Sequence, residues 1–376
     1  MKKKILFLIH DLGHGGAEKV LVNLVNNMDP EKFDITVIAL FGGGVNEQFL
    51  KPHIHYRAVF PKAFPGNSRV MKLLSPKLLH RLFVKEHYDI EVAYLEGPAS
   101  RIISGCADPV TKTVCWIHCT MKTKKAFAVG FRSPEEAKQC YSGFDRQVFV
   151  SRDVMAAFAA FCPAGSKSVC YNTNETAQMM EKAREAVPED LFGANELHLI
   201  GTGKLTPLKG FDRLARIHLR LCGEGYPIHT WILGSGEEEQ NLRSFARENG
   251  ISDSFTLLGY QTNPYKYLAR CDLFVCSSHS EGFSTAATEA LIVGTPVCTV
   301  AVSGMREMLG ERNEYGLVTE NEENALYAGI KSLLDDPGLL EHYKNQASIR
   351  GKDFSTEETV RVVEEMLATL EGKEQP

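Results

Sequence analysis

Short apolar runs alternate along the chain with longer segments whose apolar positions recur at helical spacing. Five runs in the first half predict buried strands: KILFLI (4–9), DITVIAL (34–40), IEVAYL (90–95), KTVCWI (112–117) and RQVFVS (146–151). Five more follow: ELHLIG (196–201), IHTWILG (228–234), FTLLG (255–259), DLFVCSS (272–278) and TPVCTV (295–300). Helical patterns such as AEKVLVNLVNNM (17–28) separate the runs, so the alternation predicts βαβ units and parallel sheets.

The length of 376 residues is too great for one ordinary core, and the element pattern predicts two Rossmann-like, doubly wound α/β domains. We expect residues 1–175 to form the first domain and residues 195–355 the second, with a polar, acid-rich helical linker at 176–194. Three helical patterns complete the chain, near 322–336, 338–350 and 356–371. The C-terminal helix (356–376) is expected to pack back on the first domain. In such folds ligands bind in loops beyond the carboxyl ends of strands and in the cleft between facing domains.

The composition is that of a soluble globular protein, with 44% hydrophobic and 24% charged residues. The apolar run at the N-terminus, ILFLI, is interrupted by His10 and Asp11, and it predicts a buried first strand rather than a signal peptide. No apolar run approaches the ~20 residues of a membrane span. The ten cysteines include no CxxC pair and predict reduced thiols rather than disulfides or zinc sites. We therefore expect a cytoplasmic protein.

The first loop that could carry chemistry is HDLGHGGAEKV (10–20), which follows the first strand and opens a helix. Gly13, Gly15 and Gly16 allow the backbone to approach a ligand, and the helix N-terminus offers N–H groups to a phosphate. The dinucleotide fingerprint GxGxxG needs glycine where this chain has Glu18, which weakens a nicotinamide-dependent oxidoreductase as an interpretation. A glycine turn that only packs helix on strand is the alternative.

The second loop, GTGKLTPLKGFDRL (201–214), places two lysines at a strand-to-helix junction. Gly201 and Gly203 free the backbone, and Lys204 and Lys209 suit a diphosphate whose negative charge grows as a bond to it breaks. The spacing is not that of the GxxxxGK[ST] nucleotide-binding loop. The alternative is a pair of solvated lysines on a turn.

The third loop, HSEGFSTAATEAL (279–291), contains two carboxylates eight residues apart, Glu281 and Glu289. Ser284 is a candidate N-cap for the helix that follows. A carboxylate can accept both hydrogens of a vicinal diol, and the small residues between the two acids leave room for a ligand. A sugar nucleotide would use one acid at each end. The alternative is that both acids are favoured by the helix dipole alone.

Together, these loops resemble those of the retaining glycosyltransferases with the GT-B fold, in particular glycosyltransferase family 4, over essentially the whole chain. The family's E-x7-E motif is matched by Glu281 and Glu289. Three further motifs are matched: G-G-A-E by Gly15, Gly16, Ala17 and Glu18; G-R-L…K-G by Gly203, Lys204, Leu205, Lys209 and Gly210; and Leu-Gly-x-Gly by Leu233, Gly234, Ser235 and Gly236. The family usually has arginine where Lys204 stands, and lysine lacks its bidentate fork.

The resemblance implies roles for these residues. Glu289 would hold the donor ribose, and Glu281, with the amides of Gly282 and Phe283, would hold the donor sugar. Four side chains are implied in catalysis, with the lysines neutralising the diphosphate and the histidine lining the cleft near the sugar: Glu281, His118, Lys209 and Lys204. Other donor-binding positions are implied on the loops, with the last two beside the nucleobase: Gly15, Gly16, Gly203, Gly234, Ser284, Tyr260 and Gln261.

The resemblance further implies two facing Rossmann-like domains and transfer of a hexose or N-acetylhexosamine, with retention, from a nucleotide diphosphate sugar. UDP is the expected carrier and GDP the other possibility, the acceptor is a lipid-linked or glycan hydroxyl, and neither a metal nor another cofactor is expected. The alternatives are a GT-B-fold sugar-nucleotide epimerase or phosphorylase, and a sugar-nucleotide-binding module without catalysis.

A basic segment at residues 48–85 stands out within a chain of net charge −5. It holds eight Lys and Arg and no Asp or Glu, with apolar residues between them as in VMKLLSPKLLHRLFVK (70–85). Since members of the family act on lipid-linked acceptors at the cytoplasmic membrane face, the segment is a candidate for contact with anionic lipid at the inner face of the plasma membrane. A solvated helix face is the alternative. Nucleic-acid binding is not expected, because no recognition motif accompanies the basic residues.

Overall fold

The computed structural model describes residues 2–13, 15–64, 66–188, 191–193 and 195–370, without the side chains of 68–70. The chain divides into two compact units: Met1–Asn174 with Thr356–Pro376, and Glu175–Ser355. We call them the first unit and the second unit. Three positions of the expected linker, 189, 190 and 194, and the last six residues of the expected C-terminal helix lie outside the described residues.

The described part of the first unit contains seven strands: β1 (Lys3–Ile9), β2 (Phe33–Phe41), β3 (His55–Phe60), β4 (Ile90–Ala93), β5 (Lys112–Ile117), β6 (Arg146–Phe149) and β7 (Lys167–Val169). They form one parallel sheet in the order β3-β2-β1-β4-β5-β6-β7. In the centre of this sheet, Ile5 of β1 pairs with Ile35 on one side and Ile90 on the other. The continuous apolar run of β1, residues 5–9, is fully buried, as expected for a strand covered on both faces.

Helices connect these strands: α1 (Gly16–Asn27), α2 (Asn67–Leu73), α3 (Pro76–Phe83), α4 (Pro98–Ile103), α5 (Lys124–Phe127), α6 (Pro134–Ser142) and α7 (Arg152–Ala159), with a 3-10 turn at Glu47–Phe49. Serine caps begin three of them. Ser75, Ser133 and Ser151 each accept a hydrogen bond from the backbone N–H three residues further on, at the start of α3, α6 and α7.

The described part of the second unit contains six strands: β8 (Leu197–Thr202), β9 (Ile228–Leu233), β10 (Phe255–Gly259), β11 (Leu273–Cys276), β12 (Val297–Val300) and β13 (Leu317–Thr319). They form a parallel sheet in the order β10-β9-β8-β11-β12-β13. In both sheets the first strand of the unit lies between its second and its fourth, which is the doubly wound arrangement of Rossmann folds. The α/β class expected from the sequence is confirmed.

The helices of the second unit are α8 (Thr176–Ala183), α9 (Phe211–Gly223), α10 (Glu239–Glu248), α11 (Tyr265–Leu268), α12 (Thr285–Ile292), α13 (Met305–Leu309), α14 (Glu323–Asp335) and α15 (Pro337–Arg350), with 3-10 turns at Pro207–Lys209 and Gly351–Phe354. The chain then returns to the first unit as α16 (Thr356–Ala368). There the Asp29 N–H donates to Glu364 (2.6 Å) and the Thr356 hydroxyl donates to the Asn174 carbonyl (2.6 Å), which joins α16 to the end of α1 and to the last residue of the unit's main segment.

The ten strands predicted from apolar runs are all present, with ends within two residues of those predicted. Three strands were not predicted: β3, β7 and β13. Each lies at an edge of its sheet and is mostly half-exposed, so its sequence lacks the continuous apolar run of a central strand.

The segment expected as a helical linker forms the helix α8 in its first half, and this helix packs in the second unit. There the Asn263 side chain donates to the Lys182 carbonyl (2.9 Å). No helix in the described ranges is long and apolar enough to cross a membrane.

Candidate functional site

The crevice of the second unit lies at the carboxyl ends of β8 and β11, where the strand order changes direction. Connections from β8 lead to β9 on one side, whereas β11 lies on the other side and leads to β12. The connections after β8 and β11 therefore leave the sheet toward opposite sides, and the crevice forms between their first residues. These loops, together with the start of α12, contain the lysines and glutamates that the sequence predicted as a site.

Two glycines allow the loops around this crevice to approach one another closely. Gly234, after β9, has a φ of 142°, and a Cβ on it would lie 1.8 Å from the carbonyl oxygen of Gly203. Gly210 has a φ of 63°, and its Cβ would lie 2.2 Å from the carbonyl oxygen of Ser277 after β11. Any side chain at either position would push two loops apart, so both glycines set the spacing of the crevice.

Arg213 of α9 fixes the start of the loop after β11. Its guanidinium is buried and donates to the carbonyls of Ser277 (2.6 Å) and Ser278 (2.8 Å) and to the side chain of Asn321 (3.0 Å). The carbonyls are thereby satisfied without a helix or strand partner. The Ser277 hydroxyl in turn donates to the Lys209 carbonyl (3.0 Å), so the two loops are joined in both directions.

Lys209 and Glu281 meet in this crevice, with 2.6 Å between the ammonium nitrogen and carboxylate Oε1. The same oxygen accepts a second hydrogen bond from the Ser278 hydroxyl at 2.6 Å. The side chains are 27% and 11% exposed, so the pair is partly withdrawn from water, where an ion pair is stronger than on an open surface. The arrangement holds an ammonium and a carboxylate at a defined place beside backbone N–H groups.

Glu289 lies in the second turn of α12 and is 8% exposed. The Tyr265 hydroxyl of α11 donates to its carboxylate at 3.4 Å. Ser284 caps this helix, as predicted, by accepting a hydrogen bond from the Ala287 N–H (3.3 Å). The Ser284 side chain therefore orders the start of α12, close to the loop that carries Glu281.

Phe283 contributes its ring to the core of the second unit. The ring is buried and lies against Phe354, with 5.8 Å between centroids. A Cβ on Gly304 would lie 2.8 Å from the ring carbon Cδ2, so Gly304 makes room for the ring. The packed ring fixes the backbone of Gly282 and Phe283, whose amides are the groups implied in sugar binding.

The remaining predicted positions of the second unit differ in how firmly they are held. Lys204 is exposed, whereas Lys209 on the same loop is paired with Glu281. Tyr260 is 66% exposed and presents an aromatic face to solvent. The Gln261 amide is engaged at both ends, since it donates to the Leu258 carbonyl (2.7 Å) and accepts from the Tyr267 hydroxyl (3.4 Å).

The crevice of the first unit lies between β1 and β4. Gly15 is the N-cap of α1, and Gly16 is its first residue. The Glu18 carboxylate folds back over this turn, because a Cβ on Gly15 would lie 1.9 Å from its Oε2. Burial, assisted by the nearby negative charge of Asp11, raises the pKa of Glu18 above its ordinary value. The glycine at position 15 thus accommodates an acid at the helix N-terminus.

His118 follows β5 and is the residue of the first unit that the sequence implied in catalysis. It is buried beside the rings of Tyr94 (centroids 4.9 Å apart) and Trp116 (6.5 Å), and its backbone N–H donates to Glu96 (3.0 Å). Burial lowers the pKa of His118 to about 3, so the imidazole is neutral at neutral pH. Its Nε2 has no hydrogen-bond partner among the described residues. An unpaired buried nitrogen of this kind is costly unless a ligand or water satisfies it.

Several positioning residues were not found from the sequence: Arg213, Ser278, Tyr265 and Glu96. Ser278 could have been found, since it ends a predicted strand three residues before Glu281. The others act across long sequence separations, such as the 64 residues between Arg213 and Ser277. No local pattern signals such contacts.

Comparison with known proteins identifies the family. Residues 185–350 match the model described as Glycosyl transferases group 1, and residues 14–173 match Glycosyltransferase Family 4. A curated relative from Campylobacter jejuni, N-acetylgalactosamine-N,N'-diacetylbacillosaminyl-diphospho-undecaprenol 4-alpha-N-acetylgalactosaminyltransferase, is 32% identical over 98% of this chain and 100% of its own length. The chain belongs to glycosyltransferase family 4. This confirms the family that the motifs predicted.

Solved structures of GT-B glycosyltransferases show the same fold. Anabaena HepE in complex with UDP has a TM-score of 0.76 at 18% identity and covers 98% of this chain and 100% of its own. Sucrose-phosphate synthase from Thermosynechococcus elongatus has a TM-score of 0.76 at 16% identity, with 98% and 99% covered. The glycosyltransferase therefore has the GT-B fold, and the roles of its individual residues remain predictions.

Proposed function

We propose that this glycosyltransferase moves an N-acetylhexosamine or hexose, with retention, from a UDP-sugar to a hydroxyl of a saccharide carried on a polyprenyl diphosphate. The observation that carries the proposal is the Lys209–Glu281 pair at 2.6 Å, at the carboxyl ends of the strands where Rossmann folds bind nucleotides. The acceptor class is suggested by the name of the Campylobacter relative, and the UDP carrier by the complex of HepE.

In the proposed donor complex, each end of the ligand meets a carboxylate, and the diphosphate in its middle meets the lysines. The buried Glu289 carboxylate accepts hydrogen bonds from the two ribose hydroxyls, while Tyr265 holds the carboxylate from behind. The Lys209 ammonium faces the diphosphate, and Lys204 adds a second, exposed cation. Glu281 accepts hydrogen bonds from hydroxyls of the transferred sugar, next to the amides of Gly282 and Phe283.

The pairing of Glu281 favours a mechanism without a covalent glycosyl-enzyme. Its Oε1 already accepts two hydrogen bonds at 2.6 Å, from Lys209 and Ser278, which makes that oxygen a poor nucleophile. In the proposed step, the bond from the anomeric carbon to the diphosphate oxygen breaks and the acceptor oxygen bonds to the same face. The acceptor proton passes to the departing diphosphate. Lys209 stabilises the charge that develops on that group.

His118 supplies a neutral hydrogen-bonding group in the first unit. Since its Nε2 is unpaired among the described residues and its imidazole is uncharged, it suits a hydroxyl of the sugar or acceptor better than a phosphate. Its backbone is held by Glu96, so the ring has a fixed starting position.

Thermal unfolding with a panel of nucleotide sugars tests the donor assignment. A ligand at 100 times its Kd adds about 2.7 kcal/mol to the free energy of unfolding, or roughly 5–10 °C in Tm for a unit of this size. We expect UDP-sugars to give this shift and Glu289→Gln to weaken their binding about 10- to 100-fold. Glu341→Gln, an exposed acid on α15, is the control. A shift with GDP-sugars alone would overturn the UDP assignment.

Product analysis tests the reaction itself. Incubation with a UDP-sugar and a synthetic polyprenyl diphosphate saccharide should yield a longer saccharide and UDP, with the anomeric configuration of the donor. An epimerase would instead return an isomeric UDP-sugar, a phosphorylase would require free phosphate, and a binding module would give no product. An inverted linkage would refute retention while leaving the donor site intact.

The basic segment at 48–85 supports a membrane contact as part of the same proposal. In α3 and the residues beside it, basic residues and leucines are exposed next to one another: Leu73, Lys77, Leu78, Arg81, Leu82 and Lys85. Arg101 and Arg132 hold the turn before α3 by donating to the carbonyls of Met71 (2.9 Å) and Leu73 (2.8 Å). Exposed leucines beside cations match the interface of an anionic bilayer.

Sedimentation with phosphatidylglycerol-containing vesicles tests this contact. We expect binding that falls with added salt and that Lys77→Glu combined with Arg81→Glu abolishes. Arg247→Glu combined with Lys344→Glu makes the same charge change at exposed positions of the second unit. Equal loss in both variants would show that net charge, and not this surface, governs binding.

A further inference from the structure

A histidine, a buried glutamate and a cysteine come together in the first unit, away from the loops described above. His80 lies in α3, Glu91 is the second residue of β4, and Cys106 follows the end of α4. His80 Nε2 and Glu91 Oε2 are 2.7 Å apart. One ligand atom from each of the three residues, including Cys106, lies within 4.8 Å of the others.

The cluster is separate from the donor and acceptor machinery. Glu91 stands near the amino end of β4, whereas His118 and Gly15 follow the carboxyl ends of their strands. The three positions are 11 and 15 residues apart and form no sequence motif, so the cysteine pattern alone predicted no zinc site. Here the fold, and not the spacing, brings the groups together.

The carboxylate at the centre of the cluster needs a cation. The Glu91 side chain is 3% exposed, and within the described part of the chain its hydrogen-bond partner is the imidazole of His80. A buried carboxylate is costly unless it is paired with a cation and well hydrogen-bonded. A protonated His80 can supply that cation, and a metal ion held by the imidazole, the carboxylate and the half-buried thiol of Cys106 can supply it as well.

The backbone holds the three residues in place. Gly105 is pressed against the start of α3, because a Cβ on it would lie 2.1 Å from the Pro76 carbonyl oxygen. This contact keeps the segment that carries Cys106 beside the helix that carries His80. Cys106 itself is fixed by its N–H, which donates to the Ile103 carbonyl (3.0 Å). Rigid elements on three sides are what a metal site requires.

We propose that His80, Glu91 and Cys106 bind a thiophilic divalent ion of the Zn²⁺ class, with water as a fourth ligand. Imidazole nitrogen, thiolate sulfur and carboxylate oxygen suit Zn²⁺ and not Mg²⁺ or Ca²⁺. Tetrahedral bonds of about 2.0–2.3 Å place ligand atoms about 3.3–3.8 Å apart. The His80–Glu91 distance of 2.7 Å would therefore lengthen on binding, and the ligand atoms that are up to 4.8 Å apart would move closer together. On binding, Cys106 releases its thiol proton and His80 releases the proton of its coordinating nitrogen, both to solvent. The ion ties α3 to β4 and to the end of α4.

Titration of chelator-treated full-length protein with Co²⁺ tests the site. We expect one equivalent to give visible bands of tetrahedral Co²⁺ and a near-ultraviolet thiolate-to-metal band, both displaced by one equivalent of Zn²⁺. Cys106→Ser should remove the thiolate band and weaken binding at least about tenfold. Cys140→Ser, a half-buried cysteine on α6, should bind as the wild type does.

His80→Gln provides a second variant, and it should also weaken Co²⁺ binding about tenfold or more while thermal unfolding shows that it folds. The proposal is overturned if the wild type gives no thiolate band, or if Cys106→Ser or a folded His80→Gln binds Co²⁺ with unchanged affinity. In that case the His80–Glu91 contact is an ion pair and nothing more.

Discussion

The two units repeat one strand order and place different chemistry at the crevice that it creates. In the second unit the crevice holds a partly buried ion pair, Lys209 and Glu281, with a second buried carboxylate at Glu289. In the first unit it holds a neutral imidazole, His118, and the carboxylate of Glu18, whose pKa is raised. The common topology therefore supplies the location, and the side chains at the strand ends decide whether that location suits a charged or an uncharged group.

The crevices differ as well in how their loops are fixed. The second unit links its loops through Gly203, Gly210, Arg213 and Ser277 before any ligand is present. A diphosphate develops charge as it leaves, and fixed donors stabilise that charge without the cost of reorganisation. The imidazole of His118 is held by packing against aromatic rings, which suits the recognition of a neutral hydroxyl.

The largest effect is expected from the lysines of the second unit. Lys209→Ala should lower kcat on the order of 10³-fold, since a fixed cation at a leaving group contributes several kcal/mol to the transition state. Lys204→Ala, on the same loop and exposed, should lower kcat about tenfold or less. Steady-state kinetics with a UDP-sugar give both values. Equal losses would mean that the Lys209–Glu281 contact has no special part in catalysis.

The second-largest effect is expected at His118, and it tests whether the two crevices have different tasks. His118→Asn should lower kcat roughly 30- to 100-fold, the loss expected for one well-placed hydrogen bond in the transition state. The Kd for UDP should stay within about twofold, because the nucleotide is assigned to the second unit, whereas Glu289→Gln should weaken UDP binding about 10- to 100-fold. Calorimetric titration with UDP measures both. Loss of UDP binding in His118→Asn would contradict the division of tasks.

Much of the contrast between the two crevices could be predicted from the sequence. Apolar runs located the central strands because burial on both faces favours consecutive apolar residues, as in the buried run 5–9 of β1. The glycines and charges after those strands then marked the loops with chemistry. The edge strand β3 was missed, since none of its six positions is buried.

Contacts between distant segments could not be predicted. Nothing near Arg213 indicates that its guanidinium binds the carbonyls that follow β11, because an arginine in an amphipathic helix usually faces water. The pairing of Lys209 with Glu281 was likewise hidden, and the two were expected to bind different parts of the ligand. The orphaned nitrogen of His118 depends on its aromatic neighbours, which only the folded sheet brings together.

Each unit also contains a buried neutral histidine, and acidic pH should lower the stability of both units. Burial lowers the pKa of His218 in α9 to about 4 and that of His118 to about 3. Between pH 6.5 and these values, each histidine is protonated in the unfolded chain but neutral in the folded protein. The contribution of the neutral histidine to stability is therefore complete above pH 6.5 and is lost as the pH falls. Each histidine should cost roughly 2 kcal/mol between pH 7.5 and 5.

Urea unfolding at the two pH values measures this loss. His218→Gln should reduce the pH dependence of the second unit and leave that of the first unit unchanged, even if the variant is less stable at both pH values. The His218 ring bonds to Thr230 (2.8 Å) and Ser254 (2.9 Å), so a general loss of stability is expected from the substitution. An unchanged pH dependence would show that His218 is protonated in the folded state.

The smallest effect is expected at Tyr260, a predicted donor-binding residue that is 66% exposed. If its ring stacks on the nucleobase, Tyr260→Ala should raise the KM for the UDP-sugar about fivefold, because a solvent-exposed stack contributes about 1 kcal/mol. Since stacking acts on ground state and transition state alike, kcat should stay within twofold of the wild-type value, roughly the precision of such assays. Tyr260→Phe keeps the ring and should behave as the wild type does in steady-state kinetics. Loss of affinity in the phenylalanine variant would assign the contact to the hydroxyl, and an unchanged KM in the alanine variant would place the nucleobase elsewhere in the second unit.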